Sequence, residues 1–394
     1  MDRPTSAGRA EQPHFADEPG RSPGDVVVIA IFSLLLLAPA LLALTGHAGF
    51  ETLFIESREQ RHPFVAPPPS TGALATGGWQ RDAERELADA FPLRTSLIAA
   101  YERAKFVWLH DVASAQVIGG RHGWFFLGNE ERRYITGAAG ITDAVLTRAA
   151  GVYQQRADWC ARRGITYVFV LAPNKSTVYA NELPPQVQLV TPTLADRLFP
   201  MLRARGVRVV DLRARLTAAA ASGEVYSKGD THWNDAGAYI AYRATVAALA
   251  GAGVRDTVTP SAFRRWVASS DGDLLKLAGV SDLVENHVVR YDFPQHARSA
   301  VAPVYPDDPR KNDFAATATA VSSPASPKAV VFGDSFSDVL VRFLAEDFRR
   351  TVLLRYVSVT GPQFDERIVE TEKPAVVIQE LAERNLMYAR DVRP

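Results

Sequence analysis

"KAVVFGDS", residues 328–335, is the stretch whose reading decides the fold. A short apolar run without polar alternation is the pattern of a strand buried on both faces, as in a parallel sheet. It stops abruptly on Gly333, Asp334 and Ser335, and the amphipathic run 338–347 follows at once. That order reads as strand, tight turn, helix. Glycine permits the bend, and the small hydroxyl residue projects from it at the carboxyl end of a strand, where open parallel sheets bind ligands. Many ordinary strand–helix turns also contain Asp or Ser, so Ser335 as a nucleophile requires a base elsewhere in the chain.

Working outward, the alternation repeats. "ITYVFVLAPN" (165–174), "VRVVDLR" (207–213), "TVLLRYV" (351–357) and "PAVVIQEL" (374–381) read as further strands. Helical patterns fill 142–163, 194–204 and 235–250, and "QVIGGRHGWFFLG" (116–128) has the turn residues and aromatics of a hairpin. Doubly apolar strands alternating with helices predict an α/β fold, a parallel sheet flanked by helices. Residues 255–327, with weaker periodicity and scattered Pro, Asp and Ser, read as an insertion near the C-terminal edge of that sheet.

The N-terminal region is different. Residues 1–24 are polar and rich in Gly and Pro, the composition of a disordered tail. "VVVIAIFSLLLLAPALLAL", Val26 to Leu44, carries no charge over 19 residues. At ~1.5 Å per residue such a helix spans about 28 Å, close to a bilayer core of roughly 30 Å. A cleaved signal peptide fits less well, because the leader holds five acids against three arginines. The expectation is one uncleaved transmembrane helix at 25–45, followed by a linker over 46–78 that includes "PFVAPPPSTGALATGG". The stretch after it, interrupted by Pro92, reads as two short helices packing on the domain, and the catalytic domain is expected over 79–390.

Composition excludes other classes. Lys+Arg and Asp+Glu are both 44, and no basic stripe with interleaved aromatics occurs, so nucleic-acid binding is set aside. A single cysteine, Cys160, rules out an intrachain disulfide and reads as a small core residue.

The base is sought among eight histidines. His14, His47 and His62 fall in or beside the leader, span and linker. His110, His122, His287 and His296 lie near charged or turn residues. His232, in "SKGDTHWNDAGAY", stands apart. Asp230 precedes it by two, so in an extended segment both side chains share one face. The carboxylate can then hold Nδ1–H and leave Nε2 free to take a serine proton. Asn234 or Asp235 would cap the following helix. The rival readings of Asp-x-His are a capped loop with a chance histidine, or two metal ligands. No other His or Cys has a matching spacing, so no metal is expected.

Asp230-Thr231-His232-Trp233, followed about a hundred residues later by Gly333-Asp334-Ser335-Phe336-Ser337, resembles the periplasmic alginate O-acetyltransferases and their relatives. Their domain is similar to the SGNH hydrolases, with the Asp-x-His pair ahead of the Gly-Asp-Ser block. "DAFPLR" (89–94), "GWFFLG" (123–128), "APNKSTVYANELP" (172–184), "DGDLLKLAG" (271–279) and "VVIQELAERNL" (376–386) agree with the same pattern. The resemblance implies an SGNH-like enzyme tethered to the inner membrane, its catalytic domain in the periplasm, that O-acetylates an exopolysaccharide without a cofactor. It implies Ser335 as nucleophile, His232 as base and Asp230 as the partner that orients it. It also implies a membrane-bound O-acyltransferase as the acetyl donor partner. The family's appended carbohydrate-binding module has no counterpart after residue 390. Asn174, Lys175, Gln379 and Arg384 are candidate oxyanion donors beside the Ser335 backbone N–H, and Tyr179 and Trp233 are candidates to stack on a sugar ring. The same triad would also serve an esterase or deacetylase, and an inert scaffold subunit is the third reading.

Overall fold

The computed structural model describes residues 23–43, 62–91, 94–292, 294, 302–305, 314–320, 326–356 and 364–393. The tail over 1–22, about half of the linker (46–61), His14, His47 and His296 lie outside the described residues. Two compact units divide the chain, residues 1–98 and 99–394.

In the first unit, Pro23–Ala43 forms a helix over most of the expected span. The side chains at 35, 36 and 38–43 lie outside the described set. Among the described residues no helix is long and apolar enough to cross a membrane, so the expected transmembrane helix at 25–45 is unsupported by the fold. The region read as linker also ends in ordered structure. Ser70 Oγ accepts from Ala73 N at 3.2 Å and caps the short helix Thr71–Ala75. Helices then form on either side of the expected break, Gly78–Asp89 and Arg94–Leu109, and the Phe64 N–H donates to Asp89 Oδ2 at 2.9 Å.

The second unit is built on one sheet. Its strands are β3 (Thr166–Ala172), β4 (Val209–Asp211), β7 (Ala302–Pro303), β8 (Phe314–Ala320), β9 (Lys328–Gly333), β10 (Arg350–Tyr356) and β11 (Val376–Ala382). They lie in the order β4-β3-β11-β9-β10-β8-β7. The first five are parallel, as expected from their unbroken apolar runs. Every residue of β11, and all but the first of β3 and β9, is buried, so both faces of the central sheet are covered. Burying each Val, Leu, Ile or Phe of these strands contributes about 1.5–3 kcal/mol.

The sheet is nevertheless mixed. β8 pairs antiparallel to β10, and β7 antiparallel to β8. Both come from the region read as an insertion. "FAATATA" gave no strand signal because alanine is depleted in strands and small side chains bury little area. The same region also forms an antiparallel ribbon, β5 (Arg264–Ser269) with β6 (His287–Asp292), and the helix Asp273–Ala278 between them. The expected hairpin is present as β1 (Val117–Gly119) and β2 (Phe125–Leu127). Cys160 is fully buried in the core, and burial pushes its thiol up to about 12.

Candidate active site

β3, β11 and β9 are neighbours in the sheet and run in one direction. Each is followed, two residues past its carboxyl end, by a predicted site residue: Asn174 after Ala172, Arg384 after Ala382, Ser335 after Gly333. Strands about 4.8 Å apart therefore set these three residues along one rim.

The turn at Ser335 is braced from below. Asp334 Oδ1 accepts from Phe336 N at 3.1 Å, and Oδ2 accepts from Ala382 N at 2.8 Å and Asn385 Nδ2 at 2.9 Å. Glu380 Oε2 accepts from Asp334 N at 3.1 Å and Ser337 Oγ at 2.8 Å. Burial, and then the neighbouring Asp334 charge, hold the Glu380 carboxyl well above the usual range. Only glycine fits before this turn: a Cβ on Gly333 would lie 1.9 Å from Ser337 Oγ and 2.9 Å from Glu380 Oε2. Asp334 is thus a brace, and Ser335 is left to project.

The second half of the site is the loop leading into the helix Asp235–Ala248. Asn234, the expected cap, accepts from Ala236 N at 3.0 Å and Gly237 N at 3.1 Å. Asp235 does not cap. It is fully buried and pairs with Arg342 at 2.9 Å. Lys175 holds the loop from within, donating through Nζ to the carbonyls of Ser227 (3.1 Å), Lys228 (2.8 Å) and Asp230 (2.7 Å). The region read as insertion also holds it, since Asn286 Oδ1 accepts from Gly229 N at 2.9 Å and Asp273 Oδ1 from Thr231 N at 2.7 Å.

These two halves meet. His232 Nε2 is 2.8 Å from Ser335 Oγ, and Nδ1 is 2.9 Å from Asp230 Oδ1. The same carboxylate oxygen accepts from the His232 backbone N–H at 2.9 Å, which fixes the side chain against its own main chain. Asp273 Oδ2 lies 3.7 Å from Nδ1, a second carboxylate on the ring. Burial acts to lower the His232 pKa, but Asp230 and then Asp273 outweigh it and hold the ring above its usual value. Burial likewise acts to raise Asp230, yet the imidazole bond and charge hold it below the usual carboxylate range. Among the described residues, Asp230, His232 and Asp273 are the group able to share a cation, their ligand atoms within 4.8 Å of one another. A cation there would take the Nδ1 position that the Asp230 hydrogen bond uses.

The remaining candidates divide. Asn174 is buried, and its Oδ1 accepts from the Arg384 backbone N–H at 3.1 Å while its Nδ2 finds no partner in the described structure. The Arg384 guanidinium lies over the Phe336 ring at 5.6 Å, with Nη1 likewise unpartnered. Both residues follow strands of the rim that carries Ser335, and the Arg384 Nε lies 3.7 Å from Glu130 Oε2. Lys175 does not point there: burial is the first cause that lowers its pKa, to about 8, and its three donors are spent on the loop. Gln379 sits inside β11, its Oε1 accepting from Arg156 at 3.0 Å and Tyr167 at 2.5 Å, so it faces the core. Tyr179 is buried, its ring 4.0 Å from Trp124 and its hydroxyl accepting from Val225 N at 3.0 Å. Trp233 is buried against Phe336 and donates to its carbonyl at 3.2 Å. Neither ring presents a face to a sugar, because closing the core uses both. His110, His122 and His287 are exposed, away from these partners.

Sequence reading missed Asp273 and Glu380 as members of the site. Asp273 lies in "DGDLLKLAG", a stretch matched to the family pattern without a role. Glu380 is one acid at the end of an apolar strand, and that break in the apolar run was the available signal.

Comparison with known proteins gives the family and the fold. Residues 117–383 match the family described as "SGNH hydrolase-like domain, acetyltransferase AlgX". A "Probable alginate O-acetylase AlgJ" of Pseudomonas aeruginosa is 27% identical over 289 residues, 71% of this chain and 66% of that protein. One from Azotobacter vinelandii is 26% identical over 223 residues, 55% of this chain and 50% of that protein. The chain thus spans between half and two thirds of these relatives. The solved structure of Bacillus cereus PatB1 covers 68% of this chain and 96% of its own at 14% identity and a TM-score of 0.51, a likeness of fold. Because the family match covers well over half of it, the chain belongs to the SGNH hydrolase-like AlgX acetyltransferase family.

Proposed function

We propose that this member of the AlgX family is an O-acetyltransferase that acetylates hydroxyls of an exopolysaccharide through Ser335, His232 and Asp230. The observation that carries the proposal is the continuous chain of short contacts from Ser335 Oγ through the imidazole to Asp230, at 2.8 and 2.9 Å. Ser335 Oγ attacks the acetyl carbonyl while His232 Nε2 takes its proton. Asp230 and Asp273 face the ring edge where imidazolium charge develops. Asn174 Nδ2, with the Ser335 N–H and the Arg384 guanidinium, receives the oxyanion. The proton passes from His232 to the departing group, leaving an acetyl ester on Ser335. A sugar hydroxyl, deprotonated by the same imidazole, then attacks that ester and restores the serine.

The uncharged run Val26 to Leu44 supports a single membrane anchor, and the likeness to the alginate O-acetylases supports an inner-membrane location with the catalytic domain in the periplasm. An anchored transferase draws its acetyl group from a membrane-bound O-acyltransferase partner. The full-length protein, given a chromogenic acetyl ester and a panel of oligosaccharides, is expected to yield acetylated sugar. Ser335→Ala and His232→Ala should abolish that product while staying folded. Free acetate without acetylated sugar would make the enzyme a hydrolase, and normal acetylation by either variant would end the triad assignment.

A further inference from the structure

Glu383 is fully buried, precedes Arg384 in the chain, and takes no part in the proposed reaction. A carboxyl group is costly to exclude from water unless donors converge on it. Three do so here. Its Oε2 accepts from the Asn174 backbone N–H at 2.9 Å and from Thr177 Oγ1 at 2.7 Å, and its Oε1 accepts from the Tyr134 hydroxyl at 2.9 Å. We infer that Glu383 is a positioning residue, which fixes the turn after β3 so that the Asn174 amide presents Nδ2 to the developing oxyanion. This rests on the acetyl-transfer reading and adds to it the group that sets the donor.

The two segments hold each other. The Glu383 side chain takes the main-chain N–H of Asn174, and the Asn174 side chain takes the main-chain N–H of Arg384 at 3.1 Å. β3 and β11 are paired in register up to Ala172 and Ala382, so these two bonds cross-link the chains just beyond the last ladder pair. A main-chain N–H can only donate. The Asn174 oxygen must therefore face Arg384, because a flipped amide would set Nδ2 against another donor. Nδ2 is left on the other prong, buried and without a partner in the described structure. Buried donors without partners are rare in native folds, and catalysis is one reason they persist.

Glu131 holds the same turn through a different residue. It is buried on the helix Asn129–Ile135 and accepts from the Ser176 N–H at 2.9 Å and from the Ser176 hydroxyl. Between these anchors Lys175 reaches the carbonyl of Asp230. Glu383, unlike Glu131, bonds Asn174 itself. Burial pushes the Glu383 carboxyl above its usual range, while the bonds from Thr177, Asn174 and Tyr134 pull the other way. Removing Glu383 thus frees Asn174 while Glu131 and Lys175 still tether the turn.

Four full-length proteins are compared on a chromogenic acetyl ester: unaltered, Glu383→Ala, Asn174→Ala and the double variant. Misplacing a catalytic group by about 1 Å costs up to about a hundredfold, so Glu383→Ala should lower kcat by about thirtyfold with KM within about twofold. In the Asn174→Ala background the same substitution should cost less than about threefold, because no amide remains to be set. Glu383→Gln keeps an oxygen for Asn174 and Thr177 and turns its NH2 to the Tyr134 hydroxyl oxygen, so its kcat should lie within about threefold of the unaltered enzyme. Should circular dichroism show Glu383→Ala unfolded, Glu383→Asp replaces it in the cycle, keeping the carboxylate but withdrawing it by about 1.5 Å. Losses that multiply in the double variant overturn the positioning role. So do an unchanged kcat in folded Glu383→Ala or in Asn174→Ala, and a Glu383→Gln protein as slow as Glu383→Ala. Transfer to oligosaccharides by the unaltered enzyme is followed separately. Transfer with multiplying losses ends this inference alone. Ester cleavage without acetylated sugar, with losses that do not multiply, ends the transfer reading and leaves the role of Glu383 standing. A protein that acts on neither ester nor sugar ends both.

Discussion

Replacing Lys175 by methionine isolates what a buried cation contributes without touching any reacting atom. Methionine keeps the approximate length and the packing against Trp124 and Phe126, whose rings lie 5.8 and 5.5 Å from Nζ. It removes every donor to the carbonyls of Ser227, Lys228 and Asp230. An unsatisfied buried acceptor costs about 1–3 kcal/mol, and losing the ammonium's own desolvation penalty offsets part of the total. The net loss of stability is about 3 kcal/mol, read as a lower midpoint in urea unfolding. The loop that loses its anchor carries Asp230 and His232. A displacement on the order of 1 Å at a catalytic group costs about a hundredfold in rate, so kcat on a chromogenic acetyl ester should fall by about that factor. The pH dependence adds a sharper check. Lysine ordinarily keeps its proton to 10.5, whereas buried Lys175 releases it near 8. Between those values the unfolded chain binds more protons, so the stability difference between the unaltered protein and Lys175→Met widens as pH rises. A neutral amine has only two donors for three carbonyls, so kcat should fall over the same window while this contribution to stability grows. A folded Lys175→Met protein with unaltered urea midpoint and unaltered kcat would refute the reasoning.

Two further outcomes follow from the same geometry. Because Asp230 and Asp273 hold the His232 ring above its usual 6.5, the neutral base forms late, and the rising limb of kcat/KM should lie above that value. Asp230→Asn should move the limb to lower pH and reduce kcat by about a thousandfold or more. For stability the signs are opposite in the two partners: the raised imidazole contributes fully below 6.5 and loses its share as pH rises through its folded value, while the depressed Asp230 contributes above 3.8 and loses its share on acidification. Their joint contribution is therefore greatest between 3.8 and 6.5, measured as the unfolding difference from Asp230→Asn. Asn174→Ala removes an amide whose Nδ2 has no structural partner but whose Oδ1 accepts from the Arg384 N–H, so it should lower kcat by about a hundredfold with KM little changed and stability lowered by about 1–3 kcal/mol. A fall in stability with kcat unchanged would make Asn174 a structural residue instead.

The amino-acid sequence by itself determined the parts that depend on near neighbours. Unbroken apolar runs specify doubly buried parallel strands wherever they occur, which is why β3, β9, β10 and β11 were legible. Asp230 and His232 stand two apart, and Gly333 to Ser335 adjoin, so each half of the site was visible as a local pattern. Asn234 as a cap belongs to the same class.

What the tertiary structure alone decided is which polar groups face which cavity. Gln379, Tyr179 and Trp233 sit in or beside strands and motifs and look identical in sequence whether they meet a ligand or close the core. Only packing turned them inward, onto Arg156, Val225 and Phe336. Lys175 reads as a surface charge until three carbonyls more than fifty residues away converge on it. β8 carries too little apolar area to announce itself, and pairs because β10 offers an open edge. Asp273 becomes part of the site through a helix in the region that looked most dispensable. Burial is a property of the folded surroundings rather than of the residue, so a polar side chain acquires its role only when distant segments exclude water around it.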